Sequence, residues 1–124
     1  MFTDKLNVML YVNDVKESSL FWQSIGFVEK SAQEMEGTMV VEIAPTQTSP
    51  IAFTLYEKAF IEKMSPEIDV DSTPSVLFEV EEIDTLNKKM KELSIVTGEV
   101  QDMGDVKVFN FADLDGNYFA VSGK

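Results

Sequence analysis

Two patterns of hydrophobic residues alternate along the chain and predict an α+β fold. Apolar side chains at every second position, as in segment 6–12, are typical of a strand with one buried face. Apolar side chains three or four positions apart, as in segments 15–25 and 82–93, are typical of a helix packed on a sheet. The pattern predicts eight strands, over residues 6–12, 27–32, 38–44, 51–56, 75–80, 95–100, 106–111 and 118–122.

Residues that cap helices and form turns support these boundaries. Asn13 or Asp14 is placed to cap the first helix, and Glu17 follows Asp14 at the spacing of a capping box. Gly26 is predicted to end that helix, because glycine adopts the positive φ of a helix C-terminus without steric cost. Polar segments predict a turn over 33–37 and a loop over 45–50, and 59–64 has the composition of a short helix.

The pattern of the first half recurs in the second half. A shift of 68 positions places Val8 on Val76 and Trp22 on Met90 without a gap. The same shift aligns four further apolar pairs: Leu10 with Phe78, Val12 with Val80, Val15 with Ile83 and Ile25 with Leu93. We therefore predict one domain over 1–124 made of two tandem βαβββ units, with unit one over 5–57, a linker over 58–74 and unit two over 75–122. An unrelated α+β domain is the alternative.

Composition and charge exclude several classes of function. The chain has no cysteine and no histidine, so thiolate chemistry and the commonest transition-metal ligand are both absent. The net charge of −12 argues against nucleic-acid binding, which needs lysine and arginine. No segment approaches the ~20 apolar residues of a membrane helix, and the N-terminus lacks the pattern of a signal peptide. We expect a cytoplasmic protein that contacts neither nucleic acid nor membrane.

The opening and closing segments carry a resemblance to a known family. The sequence VMLYVNDVKESSLFWQSIGF is similar to a strand, a capping Asp and a helix that ends at Gly before an aromatic residue. The sequence FNFADLDGNYFAV is similar to an F-x-D-P-D-G-N signature, with Leu114 where proline is usual. Both resemble the vicinal oxygen chelate superfamily, which includes glyoxalase I, bleomycin-resistance proteins, fosfomycin-resistance enzymes and extradiol dioxygenases. The resemblance implies curved mixed sheets around a concave pocket, and a homodimer.

The same resemblance indicates where a divalent metal would be bound. Its ligand positions fall on Asn7, Thr54, Ser75 and Ala120. Such metals prefer imidazole, thiolate or carboxylate, and these four side chains offer an amide, two hydroxyls and a methyl group. A slip of one residue in the alignment brings in no better ligand. We therefore expect no metal and no cofactor.

The residue types expected to face the pocket suit a small organic ligand. Alternation along the strands, combined with the positions that the resemblance gives, places apolar, aromatic and hydroxyl side chains there. Trp22 is assigned to core packing instead, because it lies on the buried face of the first helix. The predicted ligand-binding residues are Asn7, Met9, Tyr11, Thr54, Tyr56, Ser75, Leu77, Tyr118 and Ala120.

Two main functions follow and stay open at this point. One is a metal-free protein that binds and sequesters a cationic or aromatic compound, as the bleomycin-resistance branch implies. The other is an enzyme acting on a small carbonyl compound, a lyase, isomerase or dioxygenase-like activity, with Glu79 as a desolvated base and Glu42 as a second inward carboxylate. A dimer whose pocket serves partner contact is a third alternative.

The acidic turn 113–117 is predicted to be structural rather than a calcium site.

Overall fold

The computed structural model describes residues 1–4 and 6–124 and divides the chain into two compact units, Met1–Thr73 and Pro74–Lys124. Each unit contains a four-stranded mixed sheet and follows the order β-α-β-β-β. This confirms the predicted α+β class and the two tandem βαβββ units. A short helix, α2 (Lys58–Met64), follows the first sheet within the segment expected to be a linker, and residues 65–76 form neither helix nor strand.

The first unit is built from β1 (Leu6–Val12), α1 (Val15–Ser24), β2 (Val28–Met35), β3 (Thr38–Ala44) and β4 (Ile51–Glu57). Its strands lie in the order β1-β4-β3-β2, with β1 parallel to β4 and the other pairs antiparallel. Strand β2 extends to Met35 and the turn is only Glu36–Gly37, shorter than the predicted turn over 33–37. Both turn residues have positive φ, the backbone twist that a tight hairpin requires.

Helix α1 begins and ends where the sequence indicates. The Asp14 carboxylate accepts the Glu17 backbone N–H at 3.0 Å, so Asp14 rather than Asn13 is the N-cap. At the other end Gly26 has φ of 109°, and its N–H donates to the Gln23 carbonyl while the Phe27 N–H donates to the Trp22 carbonyl. These are the two bonds of a Schellman motif, which supplies partners for carbonyls that the helix itself leaves open.

The core of the first unit lies between α1 and one face of its sheet. Trp22 is fully buried, and its ring lies 5.4 Å from that of Phe53 on β4 and 4.9 Å from that of Phe27. The assignment of Trp22 to core packing is therefore confirmed. The other buried side chains on this face of the sheet are Leu10, Val12, Val41, Ile43 and Leu55.

The second unit repeats this arrangement. It contains β5 (Leu77–Val80), α3 (Ile83–Glu92), β6 (Gln101–Asp102), β7 (Lys107–Ala112) and β8 (Tyr118–Gly123). The strand order is β5-β8-β7-β6, again with one parallel pair, β5 with β8. In its core the rings of Phe78, Phe111 and Phe119 pack with centroids 5.6–6.4 Å apart. Ile83 and Met90 of α3 are buried in the same unit.

The prediction of a strand over 95–100 is wrong, because β6 consists only of Gln101–Asp102. Only Thr97 bridges β7, opposite Phe111, and the regular pairing begins later, with Gln101 opposite Val108. The pairing therefore shifts by one residue between Thr97 and Gln101, which interrupts the ladder as a bulge does. The Gly98 carbonyl accepts the side-chain amide of buried Asn87 at 2.9 Å, so this segment is bonded to α3 as well as to β7.

The end of α3 lacks the glycine that ends α1. Ser94 lies 68 positions after Gly26 and makes the same Schellman bonds, with φ of 61°. A residue with a Cβ has a steric cost in this left-handed region, so we expect Ser94→Gly to raise the free energy of unfolding by about 0.5–1 kcal/mol. Urea denaturation measures the change. The matched control is Ser72→Gly in the exposed loop, where φ is not positive and no gain is expected. An equal gain in both variants would contradict the argument.

Candidate functional site

Each sheet has a second face, turned away from α1 or α3, which we call the distal face. In the first unit the strand register places Met9 of β1, Thr54 of β4 and Glu42 of β3 side by side across this face. The next rows contain Asn7 beside Ala52 and Tyr11 beside Tyr56. The structure therefore brings together the five site residues predicted from the first half of the chain.

The distal face of the first sheet combines apolar and aromatic side chains with polar ones, which include Glu42 in the middle row. Met9 is exposed and the two tyrosines are half-buried, whereas Thr54 is only 8% exposed. At one end of this face a pocket of about 260 Å³ lies against the loop before β4. Its lining residues are Asn7, Lys30, Glu42, Ala44, Ser49, Pro50 and Ala52.

Hydrogen bonds hold the walls of this pocket in place. Lys30 is the extra residue of a bulge in β2, where the register shifts between Glu29 and Ser31, and its ammonium donates to the Gln47 carbonyl. The Ser49 hydroxyl accepts the Ile51 backbone N–H at 3.1 Å and donates to the Ile51 carbonyl at 2.7 Å. These bonds give the loop 45–50 a defined conformation.

Sequence reasoning missed Lys30 and Ser49. Neither the bulge nor the folding of loop 45–50 towards β2 has a local sequence signature, because both depend on contacts between segments distant along the chain. The one available signal is the cluster of Thr, Ser and Pro before β4, which indicates a loop but not its position.

The distal face of the second sheet contains most of the remaining predicted residues. Leu77 lies opposite Ala120, and Glu79 lies opposite Ser122, so Leu77 and Glu79 share a face as alternation predicts. Tyr118 is on the same face and is 63% exposed. Ser75 lies outside β5 and is exposed. Glu79 is exposed as well, and the proposed role of a base depends on burial of its carboxylate.

The acidic turn between β7 and β8 is organised around one buried carboxylate. One Asp113 oxygen accepts the backbone N–H groups of Asp115 and Asn117, at 3.0 and 2.9 Å, and the other accepts the Asn117 side-chain amide at 3.0 Å. Gly116 has φ of 80°, which completes the turn. These bonds join the turn to itself, as expected of a structural element.

Burial raises the pKa of Asp113 above its ordinary value of 3.8, although the hydrogen bonds from Asn117 and Asp115 act in the opposite direction. A carboxyl with a raised pKa in the folded state binds its proton more tightly there than in the unfolded chain. The stabilisation from protonated Asp113 is therefore fully present below pH 3.8. It is lost as the pH rises through the folded-state pKa.

Asp113→Asn provides the test of this linkage, since Asn does not titrate and its amide oxygen still accepts backbone N–H groups. We expect the unfolding free energy of the natural protein, minus that of the variant, to fall as the pH rises through this window. Urea denaturation of both proteins at a series of pH values measures the difference. A difference that rises with pH over the same range would contradict the predicted direction.

Comparison with known proteins places this arrangement in a family. The model of the Glyoxalase/Bleomycin resistance protein/Dioxygenase superfamily matches residues 6–121. The chain belongs to this superfamily. A search of curated protein sequences found no significant match. In the described part of the chain, no helix is long and apolar enough to cross a membrane.

Solved structures share the fold at low sequence identity. TnmS3, an antibiotic binding protein from Streptomyces sp. CB03234, has a TM-score of 0.81 and 15% identity, covering 98% of this chain and 96% of its own. The fosfomycin resistance protein FosX from Listeria monocytogenes has a TM-score of 0.72 and 14% identity, covering 100% and 95%. Lactoylglutathione lyase from Agrobacterium tumefaciens has a TM-score of 0.68 and 14% identity, covering 95% and 91%.

The side chains at the metal-ligand positions implied by the family do not fit a transition metal. Asn7 and Thr54 share the distal face of the first sheet, and Ala120 lies on that of the second, but none carries an imidazole, thiolate or carboxylate. Among residues 1–4 and 6–124, no group of three or more His, Cys, Asp or Glu side chains is placed to hold a metal ion. We derive no chemical step that uses a metal.

Proposed function

We propose that the chain is a metal-free cytoplasmic protein that binds a small organic molecule on the distal face of its first sheet and releases it unchanged. The observation that carries this proposal is the composition of that face. Exposed Met9 lies beside two half-buried tyrosines, Tyr11 and Tyr56, and a polar pocket adjoins them at one end. Apolar and aromatic surface with a few placed polar groups is typical of small-molecule sites.

The charge of the chain and the fold comparison support the same class of function. A net charge of −12 produces a field that attracts cations, so a cationic or aromatic compound is favoured over an anionic one. One protein of the same fold is an antibiotic binding protein. The distal face of the second sheet, with Leu77, Tyr118 and Ala120, and the adjacent Ser75 form a further candidate surface by the same reasoning.

A thermal-shift screen tests the proposal. The compounds are cationic antibiotics, thiols and small carbonyl metabolites, each measured with and without a chelator. We expect at least one compound to raise the melting temperature in a saturable manner, equally in both conditions, and to be recovered unchanged. Tyr56→Ala is expected to weaken this binding, whereas Leu20→Ala removes an exposed apolar side chain from α1 and is expected not to affect it.

Two results would replace the proposal by the enzymatic alternative. One is conversion of a carbonyl compound that is lost in Glu79→Gln, because the amide cannot accept the proton that a catalytic carboxylate takes. The other is a stoichiometric Zn²⁺, Ni²⁺, Mn²⁺ or Fe²⁺ ion in the purified protein. Elemental analysis and product analysis by mass spectrometry distinguish the two from simple binding.

We also propose that the chain forms a homodimer, as the family resemblance implies. Light scattering at micromolar concentration measures the mass directly, and the dimer is expected at twice the 13.9 kDa of the chain. A monomer under these conditions would exclude the dimer without affecting the small-molecule proposal, which uses the surface of a single chain.

A further inference from the structure

Glu42 is half-buried, and its carboxylate has no partner among the residues that the structure describes. It lies on the distal face between Thr54 of β4 and Ser31 of β2, and it lines the polar pocket. Within residues 1–4 and 6–124 its side chain makes no hydrogen bond and no ion pair. By contrast, Glu29 of β2 lies on the face towards α1, and its carboxylate accepts the Ser19 hydroxyl at 3.1 Å. A carboxylate without a protein partner is available to accept charge-assisted hydrogen bonds from a ligand cation.

A positive charge lines the same pocket without neutralising Glu42. Lys30 makes no ion pair with Glu42, because its ammonium is held at the Gln47 carbonyl of the loop. The pocket therefore presents one carboxylate and one ammonium, both able to accept a charged partner. Asn7 adds an amide that both donates and accepts. The volume of about 260 Å³ suits a polar headgroup, since complete drug-sized sites occupy roughly 300–1,000 Å³.

We propose that this pocket recognises the zwitterionic headgroup of an amino-acid-like ligand, with the ligand ammonium on Glu42 and its carboxylate on Lys30. The inference rests on the proposed function, because the same distal face receives the rest of the molecule. Glu42 lies in the same row as Met9 and Thr54, and the row of Tyr11 and Tyr56 follows along the strands. An apolar or aromatic ligand body extending from the headgroup therefore meets apolar and aromatic protein surface.

Three compounds with one phenyl ring separate the two charges of the headgroup. Phenylalanine carries both, 2-phenylethylamine carries only the ammonium, and 3-phenylpropanoate carries only the carboxylate. We expect phenylalanine to bind at least about tenfold more tightly than either analogue, because each analogue lacks one of the two charged hydrogen-bonding groups. Titration of ¹⁵N-labelled protein, followed by amide chemical shifts, gives the affinity and shows whether Lys30, Glu42 and residues 47–49 and 51–52 respond.

Two variants assign the charges to their partners. Glu42→Gln is expected to weaken phenylalanine binding about tenfold or more while leaving 3-phenylpropanoate binding unchanged. Lys30→Met is expected to weaken phenylalanine while leaving 2-phenylethylamine unchanged. Glu34→Gln is the control, because it removes the same charge from β2 on the face towards α1, opposite Met39. The amide spectrum of each variant shows directly that it is folded.

The outcomes separate this inference from the proposed function. If the amine binds as tightly as phenylalanine, or if Glu42→Gln and Glu34→Gln have equal effects, the zwitterion assignment is wrong. If none of the three compounds binds while another compound from the thermal-shift screen shifts Met9 and Tyr56, the assignment is wrong and the proposed function stands. If no compound binds the distal face at all, both fail.

Discussion

Replacement of Trp22 by alanine is expected to lower the free energy of unfolding by about 3–5 kcal/mol. Trp22 is 0% exposed, and its ring contacts those of Phe21, Phe27 and Phe53. Truncation removes both the buried apolar area and the aromatic contacts, and the surrounding strands cannot fully close the cavity. Domains of this size are stable by only about 5–15 kcal/mol, so the loss is a large part of the total.

Urea denaturation followed by circular dichroism measures this loss. Leu20→Ala is the matched control, because Leu20 lies on the same helix but is 55% exposed, and a change within about 0.5 kcal/mol is expected. A loss below about 1 kcal/mol for Trp22→Ala would show that α1 does not anchor the first unit as described.

The parts of the fold that the sequence predicted well are those set by local chemistry. The Asp14 cap, the Gly26 helix end and the apolar faces of β1 and β4 are each determined within a few residues, and the structure has them. The turn residues around Gly116 belong to the same group, because a positive φ and an Asp acceptor define a turn without distant contacts.

The errors and omissions come from contacts between distant segments. Residues 95–100 have the apolar content of a strand, but their pairing with β7 shifts by one residue, and Asn87 binds the Gly98 carbonyl. Lys30 has no local signature either, because the bulge that places it depends on the register of β3. The distal-face residues of the first sheet were predicted because alternation along a strand fixes the face, while the pocket beside them depends on a loop.

The two cores place their aromatic rings in different elements. The shift of 68 positions pairs Trp22 of α1 with Met90 of α3, so the second helix supplies a thin, flexible side chain where the first supplies a large ring. The second sheet compensates with the cluster of Phe78, Phe111 and Phe119, whereas Phe53 is the buried ring of the first sheet. We therefore expect equivalent positions in the repeat to contribute unequally to stability.

Because the phenylalanine cluster lies in the second sheet, a large loss of stability is also expected from a substitution there. Phe111→Ala is expected to lower the free energy of unfolding by about 3–5 kcal/mol, because Phe111 is 1% exposed and stacks on two other rings of the cluster. Leu114→Ala is the control: Leu114 lies three residues further along the chain, in the acidic turn, and is 61% exposed, so a change within about 0.5 kcal/mol is expected. Urea denaturation compares the two.

Met90→Ala then tests how the second core divides its packing between helix and sheet. A loss of about 2–5 kcal/mol is expected for a buried methionine, at most comparable to that for Phe111→Ala if the rings of the sheet are the main part of the core. A Met90 variant that costs clearly more than the Phe111 variant would reverse this order. It would mean that the helix dominates both cores, as the sequence repeat alone suggests, and that the phenylalanine cluster adds little beyond its own burial.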